Sequence, residues 1–238
     1  MKTEGGVIAV IIGRAGSKGL PGKNSRLLLG RPMVRYTIDD AKQASLIDRI
    51  IVSTDCEEIK VIAQKESLAV IDRPPELASD TAMVDAAVRH AIEADGGNEQ
   101  IIVILYANVP VRPDDLIDRA VRKLVETGAH SVQSYCDVGK HHPYWMVRLD
   151  DEGRVTPHHP NTVYRRQNLP ELFLPDGGVI AVRHSALFTV VEDEPHAFLG
   201  TDRRGILTLA GSVIDVDCQT DLDLAEVCLK RKEAVRIA

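Results

Sequence analysis

An unbroken apolar run, Val7-Ile8-Ala9-Val10-Ile11-Ile12, stops abruptly at a glycine-rich basic loop, and no other stretch constrains the chain as much. The run is rich in β-branched residues and has no polar alternation. It therefore reads as a strand covered on both faces, as at the centre of a parallel sheet. The loop after it carries Gly13, Gly16, Gly19 and Gly22 interleaved with Arg14, Lys18 and Lys23. Glycines let backbone N–H groups turn towards a concave surface, and the cations add charge at the same place. A buried strand that feeds such a loop is a place to hold a polyphosphate; a tight turn with solvated lysines is the plainer alternative. Neither common phosphate motif applies. GxxxxGK[ST] needs glycine where Ser17 stands, and GxGxxG needs it in place of Ala15.

Beyond the loop the pattern is strand, helix, strand, helix. Pro32 suits a first helical turn, and Val34, Ile38 and Ala41 then share one helical face. Residues 50–55 read as a short buried strand. Asp55 and Glu58 are an expected capping pair for a helix with Ile59, Ile62 and Ala63 inward. Residues 73–81 are proline-rich and polar, with Asp80 as the expected cap of a helix that buries Val84, Val88, Ala91 and Ile92. A buried strand at 101–105 runs into Tyr106, Ala107, Asn108, Val109, Pro110, Val111 and Arg112, at the end of a strand where ligands gather in open α/β sheets. A helix with Leu116, Ile117, Ala120, Val121 and Leu124 inward follows, then a strand near 129–135. This grammar predicts an α/β fold with a doubly wound, mostly parallel sheet.

The 238 residues suffice for one α/β domain with an insertion. A net charge of −6 argues against a nucleic-acid partner, so the basic loop points to a small anionic ligand. Cys56, Cys136, Cys218 and Cys228 are far apart and form no CxxC pair. That fits reduced thiols better than a disulfide framework or a zinc site. No apolar signal core opens the chain and no apolar run reaches membrane-spanning length, so the expectation is a cytoplasmic protein without a membrane partner.

From about residue 139 the character becomes irregular and aromatic, with the pairs His141-His142 and His158-His159. Adjacent side chains on an extended chain point to opposite faces, so neither pair is a natural metal site. Arg165 and Arg166 could fork a carboxylate or simply pair at the surface. Near the end, residues 213–217 alternate apolar and acidic. In a strand Asp215 and Asp217 would share a face. Such a pair beside a triphosphate suits Mg²⁺, which takes one or two carboxylates plus phosphate oxygens and water. Two solvated aspartates capping the next helix, which carries Leu222, Leu224, Ala225 and Leu229, are the plainer reading.

Residues 13–24, Gly-Arg-Ala-Gly-Ser-Lys-Gly-Leu-Pro-Gly-Lys-Asn, resemble the nucleotide loop A-R-x-x-S-K-G-(I/L)-P-x-K-N of the CMP-sialic acid synthetases (acylneuraminate cytidylyltransferases). Residues 73–80 resemble that family's R-P-x-E-L-A-S-D, residues 165–170 its R-R-Q-D-L-P, and residues 213–218 its S-I-D-I-D-T. Departures fall on the sugar side. Tyr106, Asn108 and Val109 replace the glutamine, threonine and serine of L-Q-P-T-S-P-L-R, Ile180 replaces a tyrosine, and Leu199 replaces one of two phenylalanines.

The resemblance implies a Rossmann-like nucleotidyltransferase core of residues 1–138 and 176–238. Residues 139–175 would be a dimerisation insertion that helps build the partner's sugar pocket. It implies transfer of CMP from CTP to a 2-keto sugar acid, in the main reading an N-acylneuraminate, with release of pyrophosphate. Arg14, Lys18 and Lys23 are the implied catalytic cations, and Gly13, Arg14, Ser17, Lys23, Asn24 and Arg73 the implied nucleotide contacts. Arg165, Arg166, Gln167 and Phe198 fall on the sugar side, and Asp215 and Asp217 would carry Mg²⁺ or Mn²⁺. The expected assembly is a homodimer that could go on to a tetramer. The departures leave legionaminate, pseudaminate or a Kdo-like octulosonate open as the acid, and also a CTP-binding regulatory protein without turnover.

Overall fold

In the computed structural model, which describes residues 5–16 and 19–237, the first apolar run is strand β1, Val7–Ile12, and all of it is buried. An antiparallel hairpin of β2 (Leu27–Leu28) and β3 (Arg31–Pro32) leads into helix α1 (Met33–Gln43). Strand β4 (Arg49–Thr54), helix α2 (Glu57–Lys65), strand β5 (Ala69–Asp72), the short α3 (Pro75–Ala78) and α4 (Val84–Asp95) follow. Next come β6 (Ile101–Tyr106), α5 (Leu116–Thr127) and β7 (Ser131–Asp137). A separate hairpin of β8 (Val147–Leu149) and β9 (Val155–Pro157) precedes β10 (Phe173–Arg183). Helix α6 (His184–Leu187), strand β11 (Arg203–Thr208) and helix α7 (Gln219–Ile237) complete the chain.

The main sheet runs β11-β7-β10-β6-β1-β4-β5. Every neighbouring pair in it is parallel except the two made by β10. Side chains alternate across β1. Val7, Ala9 and Ile11 join the core under α1, α2 and α5, while Ile8, Val10 and Ile12 join the core under α4 and α6. That two-sided cover is why the run shows no polar alternation, and each buried aliphatic side chain contributes roughly 1.5–3 kcal/mol relative to an exposed one. β1 lies between β4 and β6, so the carboxyl ends of β1 and β6 flank the point where the winding reverses and a crevice opens.

The inner face of α5 is the expected one, Leu116, Ile117, Ala120, Val121 and Leu124. Three local expectations are corrected. Asp55 and Glu58 do not cap α2: the N-cap is Cys56, without a side-chain capping bond. Asp55 instead accepts the Ala15 N–H (2.8 Å) and Glu58 accepts from the Cys56 thiol (2.9 Å). Asp55 thus satisfies a backbone N–H of the glycine loop, which no helix or strand ladder pairs. Asp80 does not cap α4, whose N-cap is Met83; it pairs with Arg14 at 2.7 Å. Residues 213–217 are not a sheet strand. They cross above the loop after β6, held by Ile214 N–H to Val111 O (3.2 Å) and Val216 N–H to Asn108 O (2.9 Å). The alternation survives without a sheet, with Ile214 and Val216 buried and Asp215 and Asp217 outward.

The stretch from Gly139 to Leu172 lies outside the main sheet, and β10 already pairs with β7 from Phe173. His142 pins its base: the buried ring accepts the Tyr144 N–H at Nδ1 (3.1 Å), and its Nε2 bonds Pro170 O (3.2 Å). Trp145, Met146, Val147, Leu149, Val155 and Tyr164 are exposed there.

Candidate functional site

A cleft of about 250 Å³ lies at the carboxyl ends of β1 and β6. The loop after β1 brings Gly13, Arg14, Lys23 and Asn24 to it, and the segment after β5 brings Arg73. All five were expected to contact nucleotide, and the fold gathers all five; Ser17 and Lys18 lie outside the described residues. Arg14 reaches Asp80 (2.7 Å) and Ala78 O (3.3 Å), which ties the glycine loop to the segment after α3. Arg73 is buried and donates from Nη2 to Ser53 O (2.7 Å) and from Nε to Ser53 Oγ (3.2 Å). Burial pulls its pKa below the usual guanidinium range, with Asp55 acting the other way. The Asn24 amide donates to Arg14 O (2.8 Å), and its buried Oδ1 has no partner among the described residues.

Asp215 and Asp217 are tied to this cleft through two of its lining residues. Lys23 Nζ donates to Asp217 Oδ1 at 2.5 Å, and the Asn108 amide donates to Asp215 Oδ1 and to Val216 O (3.0 Å). Asp215 opens to solvent on one side and is walled by protein on the others. Burial and then the neighbouring Asp217 push its carboxyl up to about 6, against the pull of Lys23 and Arg112. Both residues pack against glycine. A Cβ on Gly177, whose φ is +76°, would stand 3.0 Å from Asp215 Oδ2, and one on Gly19 would stand 2.5 Å from Asp217 O. Two outward carboxylates with a cationic cleft beside them fit a hard divalent cation completed by ligand oxygens. No cluster of three or more His, Cys, Asp or Glu with metal-site geometry occurs among the described residues, so the histidine pairs form no such group.

Arg112 underlies both strands' ends. Fully buried, it donates to the carbonyls of Tyr106 (3.1 Å), Val109 (2.7 Å) and Gly178 (2.6 Å), and also to Thr37 Oγ1 (3.1 Å) and Asp40 (3.1 Å). Burial raises the Asp40 pKa while Arg112 holds it down. Beside it, β10 bulges between Pro175 and Ile180. Asp176 anchors the bulge by accepting from Ser134 Oγ (2.5 Å), Gly178 N–H (2.9 Å) and Thr208 Oγ1 (2.6 Å). The bulge is what delivers Gly177 to Asp215.

A second cavity, about 440 Å³, adjoins the first. Ala82, Met83, Val84 and Tyr106 line both. Phe198 lines it as expected, with His196 from the same segment, together with Gln133, Tyr135 and Arg203, which no sequence motif singles out. Arg203 donates to Gly200 O (2.7 Å) and His196 O (2.8 Å), shaping the turn that carries Phe198. Tyr106 stands at the seam. Burial, and then Asp215, push its phenol up to about 12, so it is a neutral hydrogen-bond donor at ordinary pH. Arg165, Arg166 and Gln167 are not brought to this cavity; they are exposed on the protruding segment. Tyr106 and Asn108 were readable from their place at the end of a buried strand. Gln133, Tyr135 and Arg203 carry no such signal.

A family model described as Cytidylyltransferase matches residues 8–194. The N-acylneuraminate cytidylyltransferase of Streptococcus agalactiae serotype V (strain ATCC BAA-611 / 2603 V/R) is 34% identical over 175 residues, covering 72% of this chain and 42% of that protein. The N-acylneuraminate cytidylyltransferase of Escherichia coli O18:K1:H7 (strain RS218 / NMEC) is 30% identical over 241 residues, covering 100% of this chain and 55% of that protein. The chain thus spans about half the length of these relatives. Among solved structures, a CMP:2-keto-3-deoxy-manno-octonic acid synthetase complexed with CTP superposes with a TM-score of 0.74 at 16% identity, covering 95% of this chain and 99% of that one. At that identity the likeness concerns the fold.

Proposed function

This chain belongs to the cytidylyltransferase family, and from that premise we propose that it transfers CMP from CTP to a 2-keto sugar acid of the N-acylneuraminate class, releasing pyrophosphate. One observation carries the reading. Gly13, Arg14, Lys23, Asn24 and Arg73 converge on a single cleft at the reversal of the sheet, and Lys23 and Asn108 link that cleft to Asp215 and Asp217.

Arg14 and Lys23, with Lys18 from the same loop, neutralise charge on the triphosphate. Gly13, Ser17, Asn24 and Arg73 hold the nucleotide, with the Arg73 fork aimed by its bonds to Ser53. The acid occupies the adjoining cavity against Phe198 and Tyr106, and its anomeric hydroxyl attacks the α-phosphorus in line as pyrophosphate leaves. Asp215 and Asp217 hold Mg²⁺ (or Mn²⁺), which when bound supplies positive charge at the phosphates.

Arg165, Arg166 and Gln167 are remote from the cavity of their own subunit. The exposed apolar side chains of the β8–β9 hairpin support a homodimer in which those residues serve the partner's acid site. Among the described residues no helix is long and apolar enough to cross a membrane. We place the activity in the cytoplasm.

Tyr106, Ile180 and Leu199 line the acid cavity where the family pattern differs, and this favours a second reading in which the acid is legionaminate, pseudaminate or an octulosonate. Pyrophosphate release from CTP and Mg²⁺ with each acid in turn, with Asp217→Asn as control, separates the readings. Release with N-acetylneuraminate that the control lacks is the expected result. Release with another acid selects the second reading. Tight CTP binding and silence with all four acids leaves a nucleotide-binding protein without turnover.

A further inference from the structure

Asp215 and Asp217 look alike in the sequence and are held in opposite ways. The Asp215 carboxylate is fixed at Oδ1 by a neutral amide, Asn108, which is itself buried and bonded to Val216 O (3.0 Å). Its other side is backed by Gly177. The amide donor holds the carboxylate in place at Oδ1 and leaves its solvent-facing side open to a cation. The Asp217 backbone is just as firmly set, since Asp221 accepts both the Asp217 and the Cys218 N–H groups (3.0 and 2.9 Å). Its side chain, however, is mostly solvent-exposed and bonded to a cation, Lys23, that belongs to the nucleotide cleft. Lys23 cannot serve Asp217 and a phosphate fully at once.

We propose that Asn108 and Lys23 sort the carboxylates into a fixed and an exchangeable ligand, so that an arriving phosphate draws Lys23 away and hands Asp217 to the divalent cation. The proposal rests on the metal role given to these aspartates above. Asn108 is then a positioning residue, acting on the cation through Asp215. Lys23 acts as a latch as well as a phosphate contact. Nucleotide and cation strengthen each other's binding without any movement of the backbone, and by linkage the coupling is reciprocal.

The latch makes an unusual demand: removing a cation that serves the substrate should improve metal binding by the free protein. The test is Mn²⁺ binding to the full chain without nucleotide, read by the electron paramagnetic resonance of free Mn²⁺, with each variant checked by thermal melting. Lys23→Gln is expected to bind Mn²⁺ roughly two- to fivefold more tightly, the range for an exposed ion pair. Arg14→Gln removes the same charge from the same cleft without touching Asp217 and should show little gain. The Lys23→Gln gain should vanish in an Asp217→Asn background. Asn108→Ala should weaken Mn²⁺ about tenfold, as outer partners of metal ligands do, and Asn108→Thr, which keeps a donor, should recover part of it.

Equal affinities for Lys23→Gln and Arg14→Gln would overturn the latch, and an Asn108→Ala protein that melts normally and binds Mn²⁺ like the parent would overturn the positioning role. If Asp215→Asn and Asp217→Asn leave Mn²⁺ binding unchanged, the metal reading itself fails, which is a different result from either of those.

Discussion

Under the proposed function, Gly13, Arg14, Lys23 and Asn24 reach the nucleotide side of the cleft from one loop after β1, whereas the acid side draws Gln133 and Tyr135 from β7, Ile180 from β10, Phe198 from a turn and Arg203 from β11. The first group is contiguous because a polyphosphate is met by a backbone curve, and a curve needs neighbouring residues. The second is dispersed because an acid with many hydroxyls is met by walls, and walls come from whichever strands end nearby. In the proposed function the contiguous side takes the CTP, which is the substrate shared by every acid considered. The dispersed side can change one residue at a time, and the family departures at Tyr106, Ile180 and Leu199 lie in it.

Four variants probe that division. Arg112→Met should have the largest effect, because it strips donors from three carbonyls and takes from the part-buried Asp40 its ion-pair partner. A loss of about 3–5 kcal/mol is expected, with a melting temperature lower by roughly 10 °C. CTP and acid binding should fall together in isothermal titration; survival of one alone would mean the two sides do not share this support.

Lys23→Ala should lower the rate of pyrophosphate release about 10²–10³-fold with the melting temperature little changed. Tyr106→Phe removes one hydroxyl at the seam. The KM for the acid should rise about fivefold, in keeping with one lost hydrogen bond, and that for CTP should hold. A matching rise in both KM values would move Tyr106 to the nucleotide side.

The smallest effect on stability belongs to the hairpin. Leu149→Asp with Val155→Asp changes two exposed positions and should shift folding by about 0.5 kcal/mol or less. By sedimentation the protein should become a monomer that still binds CTP and has lost turnover of the acid. A monomer with full turnover would remove Arg165, Arg166 and Gln167 from the acid site.

The legible parts of the chain were those where one physical requirement acts on consecutive residues. β1 had to be apolar throughout because both faces are covered, and α5 had to repeat its apolar face because one side packs on the sheet. Capping was misread at Asp55 and Asp80 for the opposite reason. An aspartate near a helix start satisfies whichever N–H or cation comes closest in space, and here those were Ala15 and Arg14.

Sequence alone determined the doubly wound core, the glycine-rich basic loop at the end of β1 and the outward pair Asp215 and Asp217, since each is written in neighbouring residues with a period or a spacing. Tertiary structure alone decided that Arg112 is a buried pin, that Asp176 sets the bulge behind Asp215, and that Asn108 and Lys23 hold the two aspartates differently. These depend on contacts between strand ends far apart in the chain, and a hydrogen bond across that separation leaves no periodic trace in the residues that make it.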